Sequence, residues 1–183
     1  MNRITIIVGS LREESFNKQL AEYIASSLND YAQVDFLDWS EFPFMDQDIE
    51  FPAPKSVEEA RRQVKGADAL WIVTPEYNRS IPGGLKNAID WLSRPLEDGS
   101  QAVIMGKTVT VSGVGGSACT RYVQAALIPV FDFLQIKVAP SLFTGICYTR
   151  PEFESSKLEI TDFVEKSIDH QIDVLLRFMD SGK

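Results

Sequence analysis

Apolar residues recur along this chain in two rhythms that take turns. Arg3 to Val8 is a β-branched run and reads as a first strand. Leu20, Ile24 and Leu28 then recur every four residues, which marks a helix starting near Ser15, a good N-cap. Val34 to Leu37 reads as a short second strand, and Lys55 to Lys65 as a second helix with Gly66 as its C-cap. Ala69-Leu70-Trp71-Ile72-Val73 is apolar throughout, the pattern of a strand covered on both faces. Leu85, Ile89 and Leu92 mark the next helix, with a proline, Pro82, in its first turn. Lys107 to Ser112 reads as a fourth strand and Cys119 to Leu134 as a helix kinked at Pro129. Lys137 to Ala139 begins a fifth strand. Leu158 to Met179 closes the chain as a helix with Ile168, Ile172, Leu175 and Met179 on its apolar stripe.

Strands and helices therefore alternate from end to end, and short crossovers of this kind force a parallel sheet with helices on both faces. At 183 residues the pattern predicts one domain spanning 1–183: an α/β, flavodoxin-like three-layer sandwich with a five-stranded parallel sheet in the order 2-1-3-4-5. One long connection, Asp38 to Pro54, stands out. It carries Phe42, Phe44, Met45, Ile49 and Phe51, so it reads as an ordered cover rather than a linker.

In that topology the strand order reverses between the first and third strands, and a crevice opens at their carboxyl ends. The two least regular loops leave those two strands. In Gly9 to Asn17, Gly9 permits a close turn, Ser10 and Ser15 offer hydroxyls, Arg12 a charge, Asn17 an amide, and the following helix its positive end. These features suit a phosphate; they equally suit a glycine turn, a serine cap and a solvated arginine. In Pro75 to Pro82, Glu76 is a lone carboxylate among Tyr77, Asn78 and Ser80. That set suits a flat, polar-edged heterocycle, or a structural turn capping the next helix. A third stretch, Gly113-Val114-Gly115-Gly116-Ser117-Ala118, matches G-x-G-x-x-A only formally, since the dinucleotide fingerprint belongs after the first strand of its unit. It reads as a bare wall near the ligand.

Composition narrows the function classes. A formal net charge of -8 argues against nucleic acid or an anionic membrane as partner. Met1-Asn2-Arg3 leads straight into a strand with no signal-peptide core, so a cytoplasmic protein is expected. Cys119 and Cys147 lack metal-ligand spacing and read as separate small core residues; no metal site is expected. His170, the one histidine, lies off the apolar stripe and reads as solvated, which leaves no Ser-His-Asp arrangement.

The stretch from Gly9 to Asn17, together with Thr74-Pro75-Glu76-Tyr77-Asn78-Arg79-Ser80-Ile81-Pro82-Gly83-Gly84-Leu85-Lys86-Asn87-Ala88-Ile89-Asp90-Trp91-Leu92-Ser93-Arg94, resembles the NADPH-dependent FMN reductase family, which includes quinone, chromate and azo-dye reductases. The resemblance implies that Ser10, Arg12, Ser15 and Asn17 hold the phosphate of FMN. It implies that Pro75, Glu76, Tyr77, Asn78 and Ser80 line the flavin ring, with Ser112, Gly113 and Gly116 bordering it on a third side. Arg79 departs from the family, whose members often carry an aromatic or small residue there; it reads equally as a contact for the phosphates of the nicotinamide nucleotide or as a solvated loop residue. The implied activity is two-electron transfer by hydride from NADPH or NADH, through FMN, to a small quinone-like acceptor. No side chain is then needed as catalytic acid or base. A homodimer or homotetramer is implied, with Trp91, Arg94, Arg121 and Tyr122 as candidate anchors and Trp91 equally readable as core. The rivals are a one-electron carrier of the flavodoxin type and a flavin-free scaffold that keeps the fold.

Overall fold

The computed structural model describes residues 1–140 and 143–181. Strands β1 (Asn2–Val8), β2 (Ala32–Phe36), β3 (Ala69–Val73) and β4 (Thr108–Gly115) pair in parallel, with β1 between β2 and β3, and β4 beside β3. Two short strands follow on the side of β4 away from β3. β5 (Lys137–Val138) pairs with Thr108 and Val109, and β6 (Thr144–Cys147) pairs with Ser112 to Gly115. The order 2-1-3-4-5 is as expected, and the strand count is corrected from five to six. The cause is β4, which runs on through Gly113 and Gly115 and so offers the returning chain a second stretch to pair with.

The helices are α1 (Phe16–Leu28), α2 (Lys55–Gly66), α3 (Gly83–Leu92), α4 (Arg121–Phe133), α5 (Arg150–Ser155) and α6 (Asp162–Ser181). Strand alternation sorts them into two layers. Ile4, Ile6, Trp71 and Val73 face Leu20 and Ile24 of α1 and Ile168 and Leu175 of α6. Ile7, Leu70, Ile72 and Val111 face Val64, Leu85, Ile89 and Leu127 of α2, α3 and α4. All five residues of β3 are buried, so both layers rest on it. Each large apolar side chain so covered stabilises the fold by about 1.5–3 kcal/mol.

Several local expectations are corrected. Gly66 is the last residue of α2 rather than its cap, and the chain leaves through Ala67 in extended backbone. α4 starts two residues late because Cys119 and Thr120 are left-handed, at φ 44° and 61°. The closing helix starts at Asp162 rather than Leu158, with Thr161 Oγ1 accepting from the Val164 amide at 3.4 Å; it is preceded by α5, which opens on a reciprocal Thr149–Glu152 cap. Cys119 and Cys147 are not separate core residues: they are joined in a disulfide with Cα atoms 4.4 Å apart, and Cys147 is exposed. The parallel register explains the meeting, because Cys147 lies opposite Gly115 and hence beside the turn that carries Cys119.

The Asp38 to Pro54 connection covers α3. Trp39 donates from Nε1 to the Val8 carbonyl at 2.8 Å, and its ring sits where a Cβ on Gly84 would meet it at 2.6 Å. The Pro43 carbonyl accepts from Asn87 Nδ2 at 2.9 Å and from Trp91 Nε1 at 2.8 Å. Arg94 forks onto the buried Glu50 carboxylate at 2.8 and 3.0 Å. Trp91 is fully buried, so the core reading of that residue is the one observed. Among the described residues no helix is long and apolar enough to cross a membrane.

Candidate functional site

A cavity of about 200 Å³ opens at the carboxyl ends of β1, β3 and β4. It brings together eight of the twelve residues singled out in the sequence: Ser10, Arg12, Ser15, Asn17, Pro75, Glu76, Tyr77 and Gly116. Their meeting follows from the register, which sets Val8 beside Val73 and Val73 beside Ser112, so that the three following segments leave the sheet at one level. The Gly9 amide donates to the Val73 carbonyl at 2.8 Å, and a Cβ on Gly9 would strike Thr74 Oγ1. Glycine is what lets the first loop lie against the second.

The first loop ends on α1. Ser15 Oγ accepts from the Lys18 amide at 3.4 Å, and Phe16 and Asn17, the first residues of the helix, border the cavity. The first amides of a helix have no acceptor within it, so the positive end of α1 faces the cavity. Arg12 stands at the rim, its Nη2 donating to Ser156 Oγ at 2.7 Å, with Glu14 at 3.8 Å. Asn17 has a different task from the one expected. Its Nδ2 donates to the Val114 carbonyl at 3.0 Å and its Oδ1 accepts from the Val114 amide at 2.8 Å. The buried side chain therefore ties α1 to β4 and fixes the distance across the cavity.

The second loop is a two-residue hairpin. Tyr77 and Ser80 exchange backbone hydrogen bonds at 3.2 and 3.0 Å, and Asn78 and Arg79 between them have φ of 51° and 59°. Asparagine suits that conformation; an arginine held there costs about 1–2 kcal/mol relative to ordinary backbone. Asn78 and Ser80 are exposed and lie outside the cavity lining. Glu76 turns away from the sheet, its Oε2 accepting from the amides of Tyr122 at 2.7 Å and Val123 at 3.2 Å. It caps α4, whose own N-cap residue, Thr120, makes no side-chain cap bond.

The third stretch is strand, not loop, as far as Gly115. A Cβ on Gly113 would lie 2.1 Å from the Thr74 carbonyl oxygen, so glycine there permits β4 to pass close to the second loop. Ser112 is fully buried on the α6 side. It accepts from Trp71 Nε1 at 3.0 Å and donates to Gln171 Oε1 at 2.8 Å, and Gln171 Nε2 donates to Thr110 Oγ1 at 2.7 Å. Neither Ser112 nor Gly113 lines the cavity.

Sequence reasoning missed the aromatic wall. Phe16, Tyr148 and Phe153 line the cavity, with ring centroids 5.3 Å apart for Phe16 and Tyr148 and 5.6 Å for Tyr148 and Phe153. The available signal was the short β-prone run ending at Cys147, which sets Tyr148 at the same edge as the other loops. The site thus combines a helix amide end, two hydroxyls, a rim guanidinium and flat apolar rings. That donor set fits a phosphorylated ring compound. Among the described residues no cluster of acids, cysteines and histidine could hold a metal.

Comparison with known proteins agrees with this chemistry. The family model described as NADPH-dependent FMN reductase matches residues 2–148. The chain is 43% identical over 135 residues to a 2-hydroxy-1,4-benzoquinone reductase of Burkholderia sp, covering 73% of this chain and 72% of that protein. It is 32% identical over 182 residues to a quinone reductase of Escherichia coli (strain K12), covering 96% and 93%. Among solved structures, the flavoenzyme NAD(P)H:(acceptor) oxidoreductase FerB from Paracoccus denitrificans superposes with a TM-score of 0.87 at 25% identity, covering 99% of this chain and 98% of that one.

Proposed function

The chain belongs to the NADPH-dependent FMN reductase family, and on that premise we propose that it carries two electrons from a reduced nicotinamide nucleotide to small quinone-like acceptors. When bound, FMN would supply the redox chemistry, taking a hydride from one substrate and passing two electrons to the next. The chain's own residues position and exclude. Ser10, Ser15, Arg12 and the first amides of α1 would hold the phosphate, the first two by hydroxyl donation and Arg12 by charge. Tyr77, Gly115 and Gly116 would leave room for a flat ring, and the Phe16–Tyr148–Phe153 wall would keep water from one side of it. No acid or base is assigned among the side chains.

The observation that carries this reading is the convergence of two loops and the open end of α1 on one cavity beside the aromatic wall. The decisive experiment is the visible spectrum of the purified protein before and after NADPH without oxygen. Yellow protein bleached by the nucleotide and restored by a quinone is the expected result. Protein that stays colourless with added FMN would overturn it, and protein that keeps flavin but never oxidises a nicotinamide nucleotide would favour the carrier.

We also propose a homodimer or homotetramer. With Trp91 buried and Arg94 held by Glu50, its support moves to α4, where Ile128 and Phe133 are 57% and 82% exposed. Gel filtration at micromolar concentration checks it. A cytoplasmic location is retained as a proposal. The disulfide counts against it, and the free-thiol content of protein alkylated at lysis tests it.

A further inference from the structure

A second cavity of about 270 Å³ adjoins the first and shares Glu76 and Gly116 with it; Arg79, Ser117, Arg121 and Tyr122 complete its polar border. Holding FMN explains none of these last four. The Arg79 guanidinium carbon lies 5.0 Å from the centre of the Tyr122 ring and that of Arg121 lies 4.7 Å from it. Two like charges therefore stand within about 10 Å of each other on one ring. Among the described residues neither guanidinium enters an ion pair, and that of Arg121 donates to Tyr122 Oη, at 2.9 Å. Glu76, the one acid on the border, directs Oε2 to the amides of α4. It blunts the helix end and leaves the arginines as the source of positive potential.

The turn adds a separate observation. Arg79 occupies the second central position of the hairpin at φ 59°, where glycine would be easier. The residue found there is instead the one whose side chain reaches Tyr122. Arginine forks bind phosphate, sulfonate or carboxylate oxygens through paired N–H groups, which a solvated surface arginine has no need to be positioned for.

We propose that this cavity is an oxyanion subsite beside the flavin pocket, in which Arg79 and Arg121, spaced by Tyr122, fix the charged group of a substrate. The inference rests on the reading above. Two substrates supply such a group: the nicotinamide nucleotide through its phosphates, and an acceptor through an acidic substituent. Either way the subsite holds a substrate by its charge while its reactive ring lies next door.

The test is calorimetric titration of the FMN-loaded protein with three non-reducing probes: 2′-phospho-ADP-ribose, ADP-ribose, and a naphthalene sulfonate. The variants are Arg79→Gly and the double change Arg79→Ala with Arg121→Ala. Arg79→Gly suits the backbone angle, so it is expected to keep or raise the melting temperature and guards against misfolding as the explanation. The single change should weaken binding about fivefold and the double change tenfold or more, with flavin content per chain unchanged. Weakening of the two nucleotide probes identifies the nucleotide as source, and weakening of the sulfonate alone identifies the acceptor. Unchanged affinity for all three probes overturns the subsite, as does a double variant whose only change is dissociation on gel filtration. Failure of the cofactor reading would show separately, as protein that never takes up FMN.

Discussion

Two helices begin at the same edge of the sheet, and they are finished in opposite ways. α1 is capped by its own Ser15, and its first residues, Phe16 and Asn17, border the cavity. α4 has no cap of its own, and a carboxylate from another loop, Glu76, sits on its first amides. One positive end faces a cavity; the other is closed by the protein. A helix start can therefore serve an anion only through the amides that the chain's own groups leave without an acceptor. The sequence places both starts after glycine-bearing turns, and only the fold separates them.

The largest test of that contrast removes what the open end offers. Changing Arg12 and Ser15 together to alanine should raise the dissociation constant for FMN roughly 100-fold, from one charged hydrogen bond and one hydroxyl, as read by flavin fluorescence quenching on the apoprotein. If the change is under threefold, α1 is not the phosphate end. Next comes Glu76→Ala. It should lower unfolding stability by about 1–2 kcal/mol and strip hydrogen-exchange protection from the Tyr122 and Val123 amides, while FMN affinity falls far less than in the first variant. Equal effects on stability and flavin would erase the distinction. The smallest change is Glu76→Gln, which keeps an acceptor and removes the charge. A loss of about 0.5 kcal/mol that shrinks with added salt is expected in urea titrations, and a loss as large as that of alanine would mean the cap works by charge alone.

The same contrast shows what the sequence conveyed and what it withheld. β1 and β3 were legible as unbroken β-branched or apolar runs, and α1 and α3 because their buried residues recur about every four positions. The crevice between β1 and β3 was legible because alternation forces the topology. Gly113 was misread because glycine signals a turn locally, whereas here it clears the Thr74 carbonyl, a contact set by a distant segment. Asn17 was expected to face a phosphate, and its partner Val114 lies 97 positions away. Tyr148 and the cysteine pair depend on the register of β6 against β4, which four residues of weak strand pattern do not announce. What failed to show was in each case an interaction between remote stretches rather than a local preference.

The split beside β4 has one more effect. A foreign chain meeting that rim of the sheet finds a ladder of two residues at Lys137–Val138 and another of four at Thr144–Cys147, in place of a single long template. Runs that short give an intruding strand little to hold, so the rim resists the edge-to-edge strand pairing that leads to fibres.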